Sequence, residues 1–320
     1  MAARAAGDER GRGRGRGGGG GGGPGGAVRG AGAAAFPPLF SAHVSDPTSA
    51  QVPYGDPPWY QGLRSPHYGP SHAAFRARVR AFVDTELLPH VGAWDKVGAH
   101  PPELRRKAYA AGLLGACWPA EHGGTPPEGF DAFHDLILVD ELARCAAGGV
   151  LWSCFFSFSI ALPPILHEGS DYLKLKVARP VITGEKVMSL AVTEPYAGSD
   201  VANLRCSARL SACGTHYVVN GEKKWITSGC SADFFTVAVR TGGPGAKGIS
   251  LLLVERETPG VETVRMKTMG WWMSNTAFVT FSNVKVPVAN LIGEENGGFR
   301  AIMYNFSEYM LAAAPAGAED

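Results

Sequence analysis

The apolar positions of this chain change period near residue 187, and that change divides it in two. From 71 to 186 they recur at three- and four-residue spacing, which predicts helices; from 188 they alternate, which predicts strands. Ser71 is placed to cap a helix whose Phe75, Val79, Phe82, Val83 and Leu87 share one face, with Pro89 as its stop. A second helix begins at Pro101-Pro102 and ends near Gly112 or Gly115. A third spans roughly 130–146, turning Phe133, Leu136 and Ile137 inward and setting Asp140 four residues before Arg144. The uncharged run 150–166 and a helix from Tyr172 to about Pro180–Gly184 complete an all-helical first domain.

Alternating runs at 206–212, 216–219, 234–240, 248–256 and 276–282, separated by Gly, Pro and Asn, predict an antiparallel β sandwich or small barrel. Asn220-Gly221, between Tyr-Val-Val and Lys-Lys-Trp-Ile-Thr, is the strongest short-range hairpin signal in the chain. Residues 243–248 spell G-x-G-x-x-G, but the stretch joins strand to strand and opens no helix, so it reads as a hairpin loop. A last apolar stripe of Phe299, Ile302, Met303, Phe306, Met310 and Ala313 predicts a helix from Gly297-Gly298 to Pro315, with no later helix to cover it. The expected fold is α+β and multi-domain. A disordered Gly/Arg-rich tail occupies 1–35 and an extended lead-in 36–70. The helical domain covers 71–186, the β domain 187–295, and 296–320 starts a C-terminal helical domain that the sequence cuts short.

Composition narrows the partners. The chain is 45% apolar and 18% charged with net charge +1, which points to neither nucleic acid nor a membrane surface. Three serines and Pro163-Pro164 interrupt the run 150–166, which is also shorter than the roughly 20 residues a bilayer needs. It is expected to be a buried central helix, not a membrane span. Six scattered cysteines, without a Cys-x-x-Cys pair or a His cluster, argue against a disulfide framework or a zinc site and suit a reducing compartment. The tail carries Arg-Gly repeats at 11–16, yet Asp8, Glu9 and the lack of an amphipathic pattern do not make a transit peptide. The chain end carries no peroxisomal address. With no clear targeting signal, the cytoplasm or the mitochondrion is the expected location.

Two strand ends carry the candidate chemistry. The run 188–200 (Met-Ser-Leu-Ala-Val-Thr-Glu-Pro-Tyr-Ala-Gly-Ser-Asp) leaves a strand at Thr193 and turns through Gly198, Ser199 and Asp200. The run 220–229 ends Trp225-Ile226-Thr227. Together they offer backbone donors, hydroxyls and one large aromatic. With Met-Gly-Trp-Trp-Met-Ser-Asn-Thr at 269–276, Val-Lys-Val-Pro at 284–287 and the following Leu-Ile-Gly-Glu-Glu-Asn-Gly-Gly-Phe, these motifs resemble the acyl-CoA dehydrogenase family. The resemblance runs from about residue 70 to about 306.

What the resemblance implies is a helical domain, a β domain and a C-terminal four-helix domain, with FAD between the last two. It implies oxidation of an acyl-CoA thioester to a trans-2-enoyl-CoA, in which a glutamate takes the α-proton and hydride leaves to the flavin. Electrons then pass to a carrier flavoprotein, and full-length relatives are homo-oligomers. By position, Leu190, Ala191, Val192, Thr193 and Ser199 would line FAD, with Ser199 near a flavin phosphate or the CoA portion of the substrate. Trp225 would pack beside the isoalloxazine, with Ile226 and Thr227 adding backbone and hydroxyl contacts. Glu194, before a proline, either joins them or closes the turn. Glu308 is the candidate base on the last helix; otherwise the base is expected beyond the chain end. Trp271-Trp272 stand where relatives more often carry a basic residue. No metal is implied. The alternatives are a truncated, inactive homologue that binds a partner, and a family branch acting on a substrate without CoA.

Overall fold

The computed structural model describes residues 66–308, with side chains as far as Met303. The tail at 1–35, almost all of the lead-in and the predicted end of the last helix at Pro315 lie outside the described residues. Helix α1 (Pro70–Phe82) starts with proline at its first turn and runs on as a π turn over Val83–Leu87. Its five expected inward residues, Phe75 to Leu87, are all buried. Ser71 is not the cap: the helix begins one residue earlier, and Gly69 N–H donates to His72 Nδ1 at 3.0 Å. Two short helices follow, α2 (Val91–Val97) and α3 (Leu104–Ala110). Only α3 was legible in the pattern, because α2 buries none of its side chains and so has no stripe.

Helix α4 (Ala132–Ala143) packs on α1. Ile137 and Leu138 point inward, whereas Leu136 is 54% exposed, one position off the expected face. What clamps the two helices is Glu141, fully buried between Arg76 and Arg80 of α1 and Arg144 of its own helix. Arg80 grips it with two hydrogen bonds of 2.9 Å, and Arg144 also reaches Asp84 at 3.0 Å. Arg144 therefore serves the helix junction, where Asp140 was the expected partner.

The start of α4 is held by Asp131, whose carboxylate accepts the N–H of Phe133 and His134 and lies within 3.0 Å of the stacked His72 and His134 rings. Two histidines and a carboxylate this close invite a metal reading. However, His72 Nδ1 accepts Gly69 N–H while its Nε2 meets Asp131, and His134 Nδ1 lies within 3.2 Å of Asp131 N and 3.0 Å of its carboxylate, so these ring nitrogens already belong to a cap network. Burial alone would raise the Asp131 carboxyl, but the hydrogen bonds from His72 and His134 outweigh it and hold it at about 2. An unfolded aspartate titrates near ~3.9. The folded form is thus favoured above pH ~4 and loses that contribution as pH falls toward 2. Thermal melts from pH 5 to 2 are expected to show this acid limb, and Asp131→Ala to flatten it while lowering stability at neutral pH by about 1 kcal/mol.

Residues 148–168 form one continuous apolar helical stretch: α5 (Gly148–Val150), a π segment at Leu151–Phe156, α6 (Ser157–Ala161) and α7 (Pro163–Glu168). Its length and composition alone would allow a membrane crossing, but most of it is buried inside the protein, as expected of a central helix. Ser153, Ser157 and Ser159 return their hydroxyls to carbonyls three or four residues back, which lets them sit in an apolar interior. Helix α8 (Asp171–Ile182), capped by Ser170, closes the helical part.

Eight strands follow: β1 (Met188–Ala191), β2 (Ser207–Leu210), β3 (His216–Ile226), β4 (Phe234–Arg240), β5 (Ile249–Glu255), β6 (Val261–Arg265), β7 (Ala277–Pro287) and β8 (Leu291–Ile292). Their order is β6-β7-β3-β2-β4-β5-β8, with β1 added parallel to β4. Two antiparallel halves meet at a single pair, Ser207 with Arg240. Strands β5 and β7 are four places apart in this order, roughly 19 Å in a flat sheet, yet they touch. The sheet is therefore folded over, and Phe235, Val237, Leu252, Val279 and Phe281 share one core. It is a sandwich with open edges at β6 and β8; no ladder closes it into a barrel.

The expected hairpin at Asn220-Gly221 does not form. Strand β3 runs straight through it, paired with β7 on both sides, and the register shift between Val219 and Gly221 is a bulge in β7, which carries one extra residue between Phe281 and Val284. Residues 241–248, in contrast, do connect antiparallel β4 and β5 as a loop. Helix α9 (Gly298–Glu308) starts where expected, against β5.

Candidate flavin site

The site lies where the ends of β1 and β3 come together beside the π segment. Lys224 N donates to Thr193 O at 2.8 Å, and Ser189 Oγ donates to Thr227 O at 2.7 Å, so the two runs singled out in the sequence are stitched side by side. A bulge in β3 itself, between Lys223 and Ile226, decides what they present. Residues 217, 219 and 223 point inward; after the bulge the inward residue is Ile226. Trp225 is thereby turned out, with φ of 65° and 53% of its surface exposed. A bulge that re-aims one side chain is a common device beside binding sites.

Of the predicted residues, Leu190, Thr193 and Thr227 are half-buried and Ser199 is exposed. Ala191, Val192 and Ile226 are buried, leaving only their backbone for a ligand. The Val192 carbonyl is already taken by Lys223 Nζ at 2.9 Å. Glu194 resolves as a turn-closing residue: it is buried, its N–H bonds Ala197 O, and its carboxylate accepts Arg205 N–H and Cys206 N–H. Glu308 is the last residue of α9, and its side chain lies outside the described residues.

Several neighbours were not legible from sequence. Trp152, in the π segment, stacks on Trp271 with ring centroids 6.2 Å apart. Ser228 ties the β3 end to both partners, donating its N–H to Ser274 O and its hydroxyl to Ser153 O. Trp225, Ser228, Trp271 and Asn275 all have positive φ, a strained backbone state that tends to gather at functional sites. Gly148 and Gly149 permit the approach, since a Cβ on Gly148 would meet the Trp271 ring at 2.6 Å. The glycine pair beside an aromatic run was the one available signal.

Does this corner suit a flavin? It offers an outward aromatic ring, with the Lys224 ammonium 4.9 Å from its centroid, near hydroxyls at Thr193 and Thr227, while Ser199 stands exposed further along the turn after β1. Among the described residues none of these hydroxyls, nor the Trp225 indole N–H, has a hydrogen-bond partner. An apolar plane edged by free donors matches the hydrogen-bonding rim of an isoalloxazine.

The acyl-CoA dehydrogenase N-terminal domain matches residues 69–185, and the middle domain of the same enzymes matches 189–284. The chain belongs to the acyl-CoA dehydrogenase family, whose members are FAD flavoprotein oxidoreductases of fatty acid metabolism. An acyl-CoA dehydrogenase of Alternaria alternata is 40% identical over 269 residues, covering 81% of this chain and 62% of that protein. The crystal structure of an acyl-CoA dehydrogenase from Geobacillus kaustophilus is similar at TM-score 0.69 and 34% identity, covering 75% of this chain and 63% of that one. An acyl-CoA dehydrogenase from Bacillus anthracis, solved in complex with FAD, is similar at TM-score 0.68 and 31% identity, covering 78% and 42%. The chain spans less than two thirds of the length of each of these proteins.

Proposed function

We propose that this chain carries part of the flavin site of an FAD-dependent acyl-CoA dehydrogenase that converts an acyl-CoA thioester to its trans-2-enoyl-CoA. The observation that carries the reading is Trp225, held outward by a strand bulge and bonded through its neighbour Lys224 to Thr193. Bound FAD would supply the two-electron acceptor for the β-hydrogen. This chain's residues would hold and orient it. Trp225 would cover one face of the ring, while Leu190, Thr193 and the backbone of Ala191, Val192 and Ile226 would line its edge. The Thr227 hydroxyl would add a contact there, and Ser199 would reach toward a phosphate or the CoA portion. The Trp152–Trp271 pair would screen water from one side. An α-proton is acidic enough to leave only when the thioester carbonyl is polarised in such a dry site. Glu308 is the candidate base on this chain, and a carrier flavoprotein and further copies of the chain are the proposed partners.

The test is direct. The chain, desalted after incubation with FAD, should keep a yellow flavin spectrum, and an acyl-CoA should bleach it. Trp225→Ala should weaken FAD binding about tenfold, the value of one lost aromatic contact of about 1–2 kcal/mol. A colourless wild-type protein that is nonetheless folded would sink the reading.

A further inference from the structure

Lys223 is the largest fully buried charged side chain among the described residues, and nothing said so far about the reaction uses it. Its ammonium donates to Val192 O at 2.9 Å and to Glu194 Oε1 at 2.7 Å. Glu194 spends the rest of its carboxylate on two consecutive backbone amides, Arg205 N–H at 2.6 Å and Cys206 N–H at 2.9 Å. The side chains of the pair are 0% and 2% exposed. A buried ion pair is costly to desolvate, and apolar residues of the same volume often stabilise a fold as well or better. Apart from their bond to each other, every contact just named goes to backbone, and one of those groups, the Val192 carbonyl, belongs to the candidate site.

The consequence is directional. Pairing of β1 with β4 ends at Ala191, so the Val192–Thr193 peptide has no ladder to orient it. Lys223 draws the Val192 carbonyl inward. In a trans peptide the C=O and the next N–H point opposite ways, so the Thr193 N–H is aimed away from the buried ammonium. The Thr193 carbonyl is meanwhile fixed by Lys224 N–H, one residue from Trp225. Lys223 thus holds the loop from one side while its own strand presents the tryptophan from the other. We infer that Lys223 and Glu194 are a positioning pair that sets the orientation of the Thr193 amide relative to Trp225, and through it the hydrogen bonding available to a flavin edge. The inference deepens the flavin reading and rests on it for its ligand, though not for its geometry.

The experiment compares the wild-type chain with Lys223→Met/Glu194→Leu, which removes both charges and keeps the volume filled. Thermal melting is expected to fall but the chain to stay folded, because the Val192 carbonyl and the Arg205 and Cys206 amides lose their partners. Amide hydrogen exchange at Lys224, whose N–H holds the Thr193 carbonyl, is expected to quicken by more than tenfold, with β4 amides unchanged. FAD is expected to bind about tenfold more weakly, and bound flavin to show an altered visible circular dichroism and a shifted reduction potential. Should the double variant not fold, Glu194→Gln, which keeps the shape but loses one acceptor, is expected to give the same exchange signature. Unchanged exchange at Lys224 in the folded variant overturns the positioning role, as does unchanged flavin affinity and spectrum. If the wild-type chain binds no FAD, the flavin reading fails by itself, and the exchange measurement still decides whether the pair orients this loop.

Discussion

Glu141→Leu is expected to lower the stability of the chain by about 3–5 kcal/mol, because it takes the buried carboxylate from Arg76 and Arg80 of α1, while Arg144 keeps Asp84. The magnitude follows from asymmetry. Glu141 is fully buried, while Arg76, Arg80 and Arg144 are only 13–23% exposed in their side chains, so water cannot fully replace the lost partner. The junction of α1 and α4 should loosen first, since two of the arginines stand on α1. Denaturant unfolding would read the change as a lower midpoint with little change in slope. A loss below ~1 kcal/mol would mean that the arginines find solvent by swinging outward, and that the cluster is a surface network in effect.

Gly221→Ala should be nearly as damaging, and its effect should reach the site. Gly221 sits opposite the bulge in β7 with φ of 143°, a region that L residues rarely enter. A Cβ there would lie 2.6 Å from Cys206 Cα, a backbone atom that cannot swing away. Strain of about 1–3 kcal/mol and overpacking of about 1–3 kcal/mol add to roughly 2–6 kcal/mol. Cys206 is also where Glu194 takes one of its amides, so the shift should propagate to the Glu194–Lys223 pair and to Trp225. A drop in melting temperature together with faster amide exchange at Trp225 would confirm the path. A drop without any change at Trp225 would confine the damage to the bulge.

Both predictions rest on features that periodicity reads poorly. The helical stripe on α1 and the change of period near 187 were legible because burial on one face repeats at the spacing of the element. The two strand ends were legible as well, as motifs whose family resemblance pointed to the same corner that the fold assembles. The Asn-Gly signal misled because a tight turn and a bulge ask for the same residues. Here β7, eleven residues long, offers continuous pairing on both sides of Asn220-Gly221, and those ladder bonds outweigh the local turn preference. Likewise Leu136 was assigned inward because a one-position error in helix phase is invisible without the neighbouring helix.

The chain's own letters thus determined the order of its parts: helices, then strands, then one more helix, with Thr193 and Trp225 at the ends of strands. Local patterns suffice there because secondary structure answers to spacing. Which way Trp225 faces was decided only by the tertiary structure. Unbroken alternation would have put it on the buried face with Lys223, and the bulge against β7 reverses that. The same holds for Lys223 and Glu194, twenty-nine residues apart in sequence, whose meaning as a buried pair exists only once β1 and β3 lie side by side. A charge is read as solvated until its partner is known, and the partner here is supplied by the fold.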